Sequence, residues 1–263
     1  MEELSASLGA SGDAERVHHF LRYFRTGPGQ YGHGDQFLGL TVPALRSIVV
    51  PYRERVTLAD CDRLLGSPYH EIRFAALLFL VHFAERMEKR NDRAGLEELV
   101  AFYDGRLERA NGWDLVDVSA PKIMGAHWRC REGGAAERKK LLKTWADSGN
   151  LWRQRAAIVS TLSLVRRGRL EETFWLAEYF LSHPHDLMHK AVGWLLREAG
   201  KRDGEALRNF LAAHGGRMAR TALRYAIERM GAEERKEWLG STARARSSSS
   251  AGDFALSADL GRR

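Results

Sequence analysis

Ile72-Arg73-Phe74-Ala75-Ala76-Leu77 and Arg153-Gln154-Arg155-Ala156-Ala157-Ile158 share one plan: a polar or cationic stretch, a small residue, then an apolar helix. Met188-His189-Lys190-Ala191-Val192-Gly193 and the run from Met218 to Leu223 follow it too. Taking Ala75, Ala120, Ala156, Ala191 and Ala222 as equivalent gives spacings of 45, 36, 35 and 31 residues, which suit helix-pair repeats. A small residue at each crossing lets neighbouring helices approach closely. Around these points apolar residues recur at three and four, as in Phe74, Leu77, Leu78 and Val81, or Val159, Leu162, Leu164 and Val165, the period of a helix. Pro43, Pro68 and Pro184 fall where helices begin, and no alternating run marks a strand. The chain therefore reads as all-α: an α-solenoid or superhelix of HEAT-like helix pairs with a concave basic face, formed by residues 1–240 as one domain. A non-repetitive helical domain is the alternative. From Ser241 to Arg263 the composition changes, and Ser247-Ser248-Ser249-Ser250-Ala251-Gly252 has the character of a disordered tail.

Hydrophobic residues make up 44% and charged residues 29% of the 263, enough apolar surface for a packed core and too much for a disordered chain. No apolar run reaches the roughly 18 residues that span a bilayer, and the first residues lack the basic start and apolar centre of a signal peptide. Cys61 and Cys130 alone supply neither a disulfide framework nor a cysteine zinc site. An intracellular, cytoplasmic location is expected. The net charge is +7, of which the tail from Ser241 carries four Arg against two Asp, leaving +5 on the body. Such a body favours a polyanion such as nucleic acid, although many basic proteins bind none.

The stretch Asn111-Gly112-Trp113-Asp114-Leu115-Val116-Asp117 places an indole and a carboxylate at i,i+4, hence on one helix face. An aromatic plane beside an anion suits a cationic ligand or a transition state that becomes cationic. A core tryptophan beside a salt-bridge acid fits the same spacing. Trp152 with Arg155, and Trp194 with Arg197, add two pairs at i,i+3. In the helix after Pro184, Met188, Val192, Leu195 and Ala199 form the buried stripe. Lys190, Trp194, Arg197 and Lys201 form another face, suited to phosphates with an aromatic platform between them. A half-buried tryptophan under Lys and Arg stems is the plainer reading. Arg217, Arg220 and Arg224 line the next helix opposite Leu223, Ala226, Ile227 and Met230. The glycine-dense segment from Thr26 to Gly39 matches neither a phosphate-binding loop nor a dinucleotide fingerprint. The ten histidines do not cluster with metal-ligand spacing, His185, Asp186 and His189 coming nearest. No metal and no cofactor is expected.

Tyr23-Phe24-Arg25-Thr26-Gly27-Pro28-Gly29-Gln30-Tyr31-Gly32, continuing to Gly39, with Val42-Pro43-Ala44-Leu45-Arg46, resembles the opening of the AlkD-type DNA alkylation-repair glycosylases. Gly112 to Asp117, Asn150-Leu151-Trp152 with Arg155, and Gly193-Trp194-Leu195-Leu196-Arg197-Glu198 resemble that family's later motifs, in the same order, over residues 14 to 240. The resemblance implies a superhelix that holds duplex DNA and hydrolyses the N-glycosidic bond of purines alkylated at N3 or N7, leaving an abasic site. It also implies that Trp113 and Trp194 are cleft tryptophans, Asp117 the catalytic carboxylate and Arg155 a DNA-contacting arginine. Tyr31 would be a further cleft aromatic. Trp152, Lys190, Arg197, Lys201 and Arg220 complete the expected DNA contacts. The family works from the backbone side without a base pocket, so a bulky adduct pointing outward should be tolerated. Some relatives lack parts of this set and bind DNA without excising bases. One departure is Ala219, where a proline is expected before Arg220.

The chemistry is consistent with those residues. An N3- or N7-alkylated purine is cationic and leaves as a neutral base, so the difficulty moves to a sugar of oxocarbenium character. A carboxylate can stabilise that cation and orient water, while indole faces hold the deoxyribose. The expected partner is double-stranded DNA carrying alkylated purines, and the expected state a monomer. A non-catalytic DNA-binding helical-repeat protein and a protein-binding scaffold are the alternatives.

Overall fold

The computed structural model describes residues 2–131 and 134–240, so the segment read as a tail lies outside them. The chain packs as two compact units, Met1–Ser163 and Leu164–Arg263. The described residues are helical throughout, with no strand and a single isolated bridge between Gln36 and Tyr69. The fold is all-α. None of these helices is long and apolar enough to cross a membrane.

The first unit holds α1 (Glu2–Ala10), α2 (Ala14–Tyr23), α3 (Val42–Val49), α4 (Leu58–Leu65), α5 (His70–Lys89), α6 (Arg93–Asp104), α7 (Trp113–Cys130), α8 (Ala135–Asp147) and α9 (Leu151–Ser160). The short α10 (Leu162–Val165) falls at the boundary. Helix α5 packs on α7 and α7 on α9, while α4, α6 and α8 back them. This stacking of each helix on its near neighbours is solenoid-like. Ala75, Ala120 and Ala156 lie on α5, α7 and α9 and are completely buried. Three of the alanines read as equivalent are thus buried on the three helices that stack.

Helix starts follow local chemistry. Thr57 and Asp60 close a capping box at α4, and the Asn150 side chain accepts from the Trp152 and Arg153 N–H groups at α9. Helix α7 begins at Gly112 with no side-chain cap, and it contains Pro121. That proline differs from those read as helix starters. It removes the N–H that would bond the Asp117 carbonyl, so the ladder is interrupted one turn beyond the acid.

The glycine-dense segment lies against the start of α5. The buried Glu71 carboxylate accepts from the backbone N–H groups of Leu38 (2.9 Å), Gly39 (2.9 Å) and Leu40 (3.1 Å). His70 N–H donates to the Gln36 carbonyl at 2.8 Å. Gly39 adopts φ +83°, and a Cβ there would sit 2.1 Å from the Asp13 carbonyl oxygen, so only glycine fits.

The second unit holds α11 (Glu171–Tyr179), α12 (Asp186–Gly200), α13 (Gly204–His214), α14 (Arg220–Ala226) and a last helical stretch over 232–240. Helix α12 is packed by α11, α13 and α14. Met188, Val192, Leu195 and Ala199 form its buried stripe, as the sequence predicts. The close crossing with α14 runs through Gly193, whose Cβ would lie 2.4 Å from the Ala222 carbonyl oxygen.

Candidate functional site

In the first unit the stacked helices α5, α7 and α9 place His70, Trp113 and Asp117, and Trp152 and Arg155, within their first two turns. The glycine-dense loop reaches the same ends and brings Tyr31 and Asp35. Residues separated by more than a hundred positions therefore meet.

Asp117 and Arg155 form a two-pronged ion pair: Arg155 Nε donates to Oδ1 at 2.9 Å and Nη2 to Oδ2 at 2.7 Å. The Arg155 side chain is 5% exposed and that of Asp117 19%. A fork-to-fork pair of this kind fixes the carboxylate plane. Burial pushes the Asp117 carboxyl above its usual range, the Arg155 guanidinium opposes this, and the Asp114 charge adds to the rise. With solvent still reaching its edge, the carboxylate retains a lone pair on each oxygen beyond those given to Arg155. Arg155, expected on DNA, is thus placed on Asp117, because a buried cation requires a counter-charge.

Trp113 is half-buried. The Phe24 ring lies nearly parallel to it at 5.7 Å and the Tyr23 ring meets it edge-on at 6.0 Å. Burial pushes the Tyr31 phenol up, and the neighbouring Trp113 indole opposes that rise. The Tyr31 ring also meets Trp152 edge-on at 6.0 Å. Trp152 itself is 7% exposed, so it acts from beneath Tyr31. Tyr23, by contrast, is 58% exposed, which is unusual for an aromatic.

Behind these side chains lies a network that the sequence reading did not identify. His70 Nδ1 is 2.8 Å from Asp35 Oδ2, and His70 Nε2 is 2.9 Å from Asp114 Oδ2. Arg73 Nη2 donates to Asp35 Oδ1 at 2.6 Å. Burial alone would pull the imidazole down, but the Asp114 and Asp35 carboxylates overcome it and hold His70 at about 9. A signal was present in the sequence. His70, Glu71 and Arg73 stand in a helix otherwise apolar from Ile72 to Val81, where charges persist only when paired.

In the second unit Trp194 is half-buried on α12. Its cationic neighbours are largely compensated: Lys190 pairs with Asp186 at 2.8 Å, Lys201 with Glu198 at 2.7 Å, and Arg197 with both Glu228 and Glu198. The stripe read as bare positive charge therefore carries its own anions. Arg220 donates to the Leu239 carbonyl at 3.1 Å. Arg197, Arg224, Tyr225 and Glu228 line an open cavity of about 470 Å³. Among the described residues, no group of three or more His, Cys, Asp or Glu side chains is arranged to hold a metal ion.

The profile of a family described as DNA alkylation repair enzyme matches residues 4–230. A solved structure, a predicted DNA alkylation repair enzyme from Enterococcus faecalis, has the same fold, with a TM-score of 0.64 at 15% identity. The match covers 84% of this chain and 97% of that one. Among curated proteins no sequence match is found.

Proposed function

Since the chain belongs to the DNA alkylation repair enzyme family, we propose that it is a monofunctional, AlkD-type DNA glycosylase. Its reaction is hydrolysis of the N-glycosidic bond of cationic N3- or N7-alkylated purines in duplex DNA. The observation that carries this reading is a single arrangement: the Asp117 carboxylate, fixed by Arg155, one helical turn from the half-buried Trp113 indole.

The base leaves as a neutral purine, so no acid is needed. The electron pair of the breaking C–N bond goes to the base, and positive charge grows on the deoxyribose. Asp117 stabilises that charge and orients the water that adds to the sugar carbon, and one proton of the water leaves to solvent. Arg155 is a positioning residue here, since it holds the carboxylate plane rather than the sugar. The indole of Trp113, backed by Phe24 and next to Tyr31, holds the deoxyribose and attracts the cation. On the resemblance of its motif, Trp194 of the second unit is proposed as a further DNA-contacting tryptophan. Without a base pocket, adducts that point away from the protein are tolerated. The enzyme acts as a monomer on duplex DNA.

The test is release of 7-methylguanine and 3-methyladenine from methylated duplex by the wild type beside Asp117→Asn. Wild-type release with a strong loss in the variant supports the reading, and equal release by both would sink it. One observation favours a second reading, a non-catalytic DNA-binding protein: both Asp117 oxygens already accept from Arg155, as in a purely structural pair. Salt-sensitive duplex binding without base release identifies that case.

A further inference from the structure

The mechanism above leaves the Asp35–His70–Asp114 bridge without a role. Each His70 nitrogen faces a carboxylate oxygen, at 2.8 and 2.9 Å, and a carboxylate only accepts. With both carboxylates ionised, both nitrogens carry hydrogen, which makes the ring an imidazolium. The ring is 3% exposed, with Phe37 stacked at 5.0 Å and Phe24 tilted at 4.8 Å, so its charge is met by protein groups. Those groups belong to different parts of the chain, Asp35 to the loop and Asp114 to the first turn of α7.

The charges balance only with that proton. Asp35, Asp114 and Asp117 face Arg73, His70 and Arg155. Nearby titratable groups are Tyr31, which feels Asp114, and the buried Tyr103 on α6, which feels Asp117. Glu71, next to His70, is taken up by its three backbone N–H donors. With His70 neutral, Asp114 would stand uncompensated near Asp117 and oppose its ionisation.

We propose that His70 is a positioning residue. Protonated on both nitrogens, it ties the loop to the start of α7, which sets Trp113, and it neutralises Asp114 so that Asp117 stays ionised. The kinetic part of this statement rests on the glycosylase reading, whereas the electrostatic part does not.

Three measurements on the full chain test it. In the wild type, ¹⁵N shifts of His70 should be those of an imidazolium near neutral pH, and a neutral tautomer there overturns the proposal. In His70→Gln, the ¹³C carboxyl titration of Asp117 should rise by on the order of one pH unit, the scale of a close like charge. An unmoved midpoint overturns it. Excision by His70→Gln, relative to the wild type, should fall further near pH 6 than near pH 8, because the acid limb shifts upward. Parallel profiles for the two proteins count against it. If His70→Gln does not fold, Asp114→Asn replaces it. That variant should lower the Asp117 midpoint, and no change rejects the coupling. A wild type that releases no base refutes the glycosylase reading alone, since both titrations still decide the role of His70.

Discussion

Removing either member of the Asp117–Arg155 pair separates what the pair does for stability from what it does for chemistry. Asp117→Asn leaves the Arg155 side chain, only 5% exposed, without this counter-charge. Breaking a fully buried pair costs about 3–5 kcal/mol. The 19% exposure of the Asp117 side chain admits water and lowers that figure, to roughly 2–3 kcal/mol. At roughly 2–4 °C per kcal/mol for a chain of this size, the melting temperature should drop by about 5–10 °C. Arg155→Met should cost a similar amount, since it strands the acid. The double variant Asp117→Asn/Arg155→Met leaves neither charge stranded and should return to within about 1 kcal/mol of the wild type. Excision behaves differently. It should fall on the order of 10²–10³-fold in Asp117→Asn and stay as low in the double variant. Thermal or urea unfolding of the four proteins, with base release from methylated duplex, completes the cycle. Two single variants as stable as the wild type would show that the pair does not form in solution. Recovery of excision along with stability in the double variant would refute the catalytic role of Asp117.

Four further outcomes follow from particular side chains. His70, held up at about 9 against an ordinary 6.5, contributes stability that is fully present below pH 6.5 and is lost as pH rises through 9. The loss should approach roughly 3 kcal/mol in urea midpoints between pH 6 and pH 10, and a flat profile contradicts the assignment. Burial pushes the Cys61 thiol up to about 12, so iodoacetamide near pH 8 should label it only after unfolding; fast native labelling argues against that burial. Arg224 is exposed and makes no ion pair among the described residues, whereas Lys201 is held by Glu198. Arg224→Ala should therefore flatten the salt dependence of duplex binding by roughly one unit of slope, and Lys201→Ala by much less; equal slopes for the two would refute the compensation. Tyr23→Ala, which removes an exposed ring set edge-on to Trp113, should weaken duplex binding with little loss of stability. Unfolding midpoints and titrations of DNA separate the two effects.

The all-α fold was legible because its signals are local. A run such as Phe74, Leu77, Leu78 and Val81 declares a helix whatever surrounds it, and Ala75, Ala120 and Ala156 lie buried on the three helices that stack. Trp113 and Asp117 were legible for the same reason, being one turn apart. What escaped was every relation that needs two distant segments. Arg155 reads as a cation free to meet phosphate until α9 is laid beside α7. There, the nearly buried guanidinium pairs with Asp117. On α12 only Arg197 meets a distant acid, Glu228, whereas Lys190 and Lys201 pair with Asp186 and Glu198 at i,i+4 and i,i+3, spacings already present in the sequence. Asp35 lies 35 residues from His70, and Asp114 lies 44 from it, so no periodicity links them.

One regularity in the sequence does point at such sites. Charged residues kept inside an apolar helix cost free energy unless each finds a partner. His70, Glu71 and Arg73, set against Phe74 to Leu77, therefore announced three partners elsewhere in the chain. The structure supplies them as Asp35, Asp114 and the backbone of Leu38 to Leu40. Two of the three connections run to the glycine-dense loop, so buried charge on α5 anchors a loop whose own glycines allow its path. Its glycines permit the close approach, at Gly39 above all, while α5 dictates where the approach occurs. This division of labour explains why a loop without any phosphate-binding signature ends with Tyr31 against Trp152, beside the site. It also places the sensitivity of the site to substitution in α5, one helix away from the residues proposed to touch the sugar.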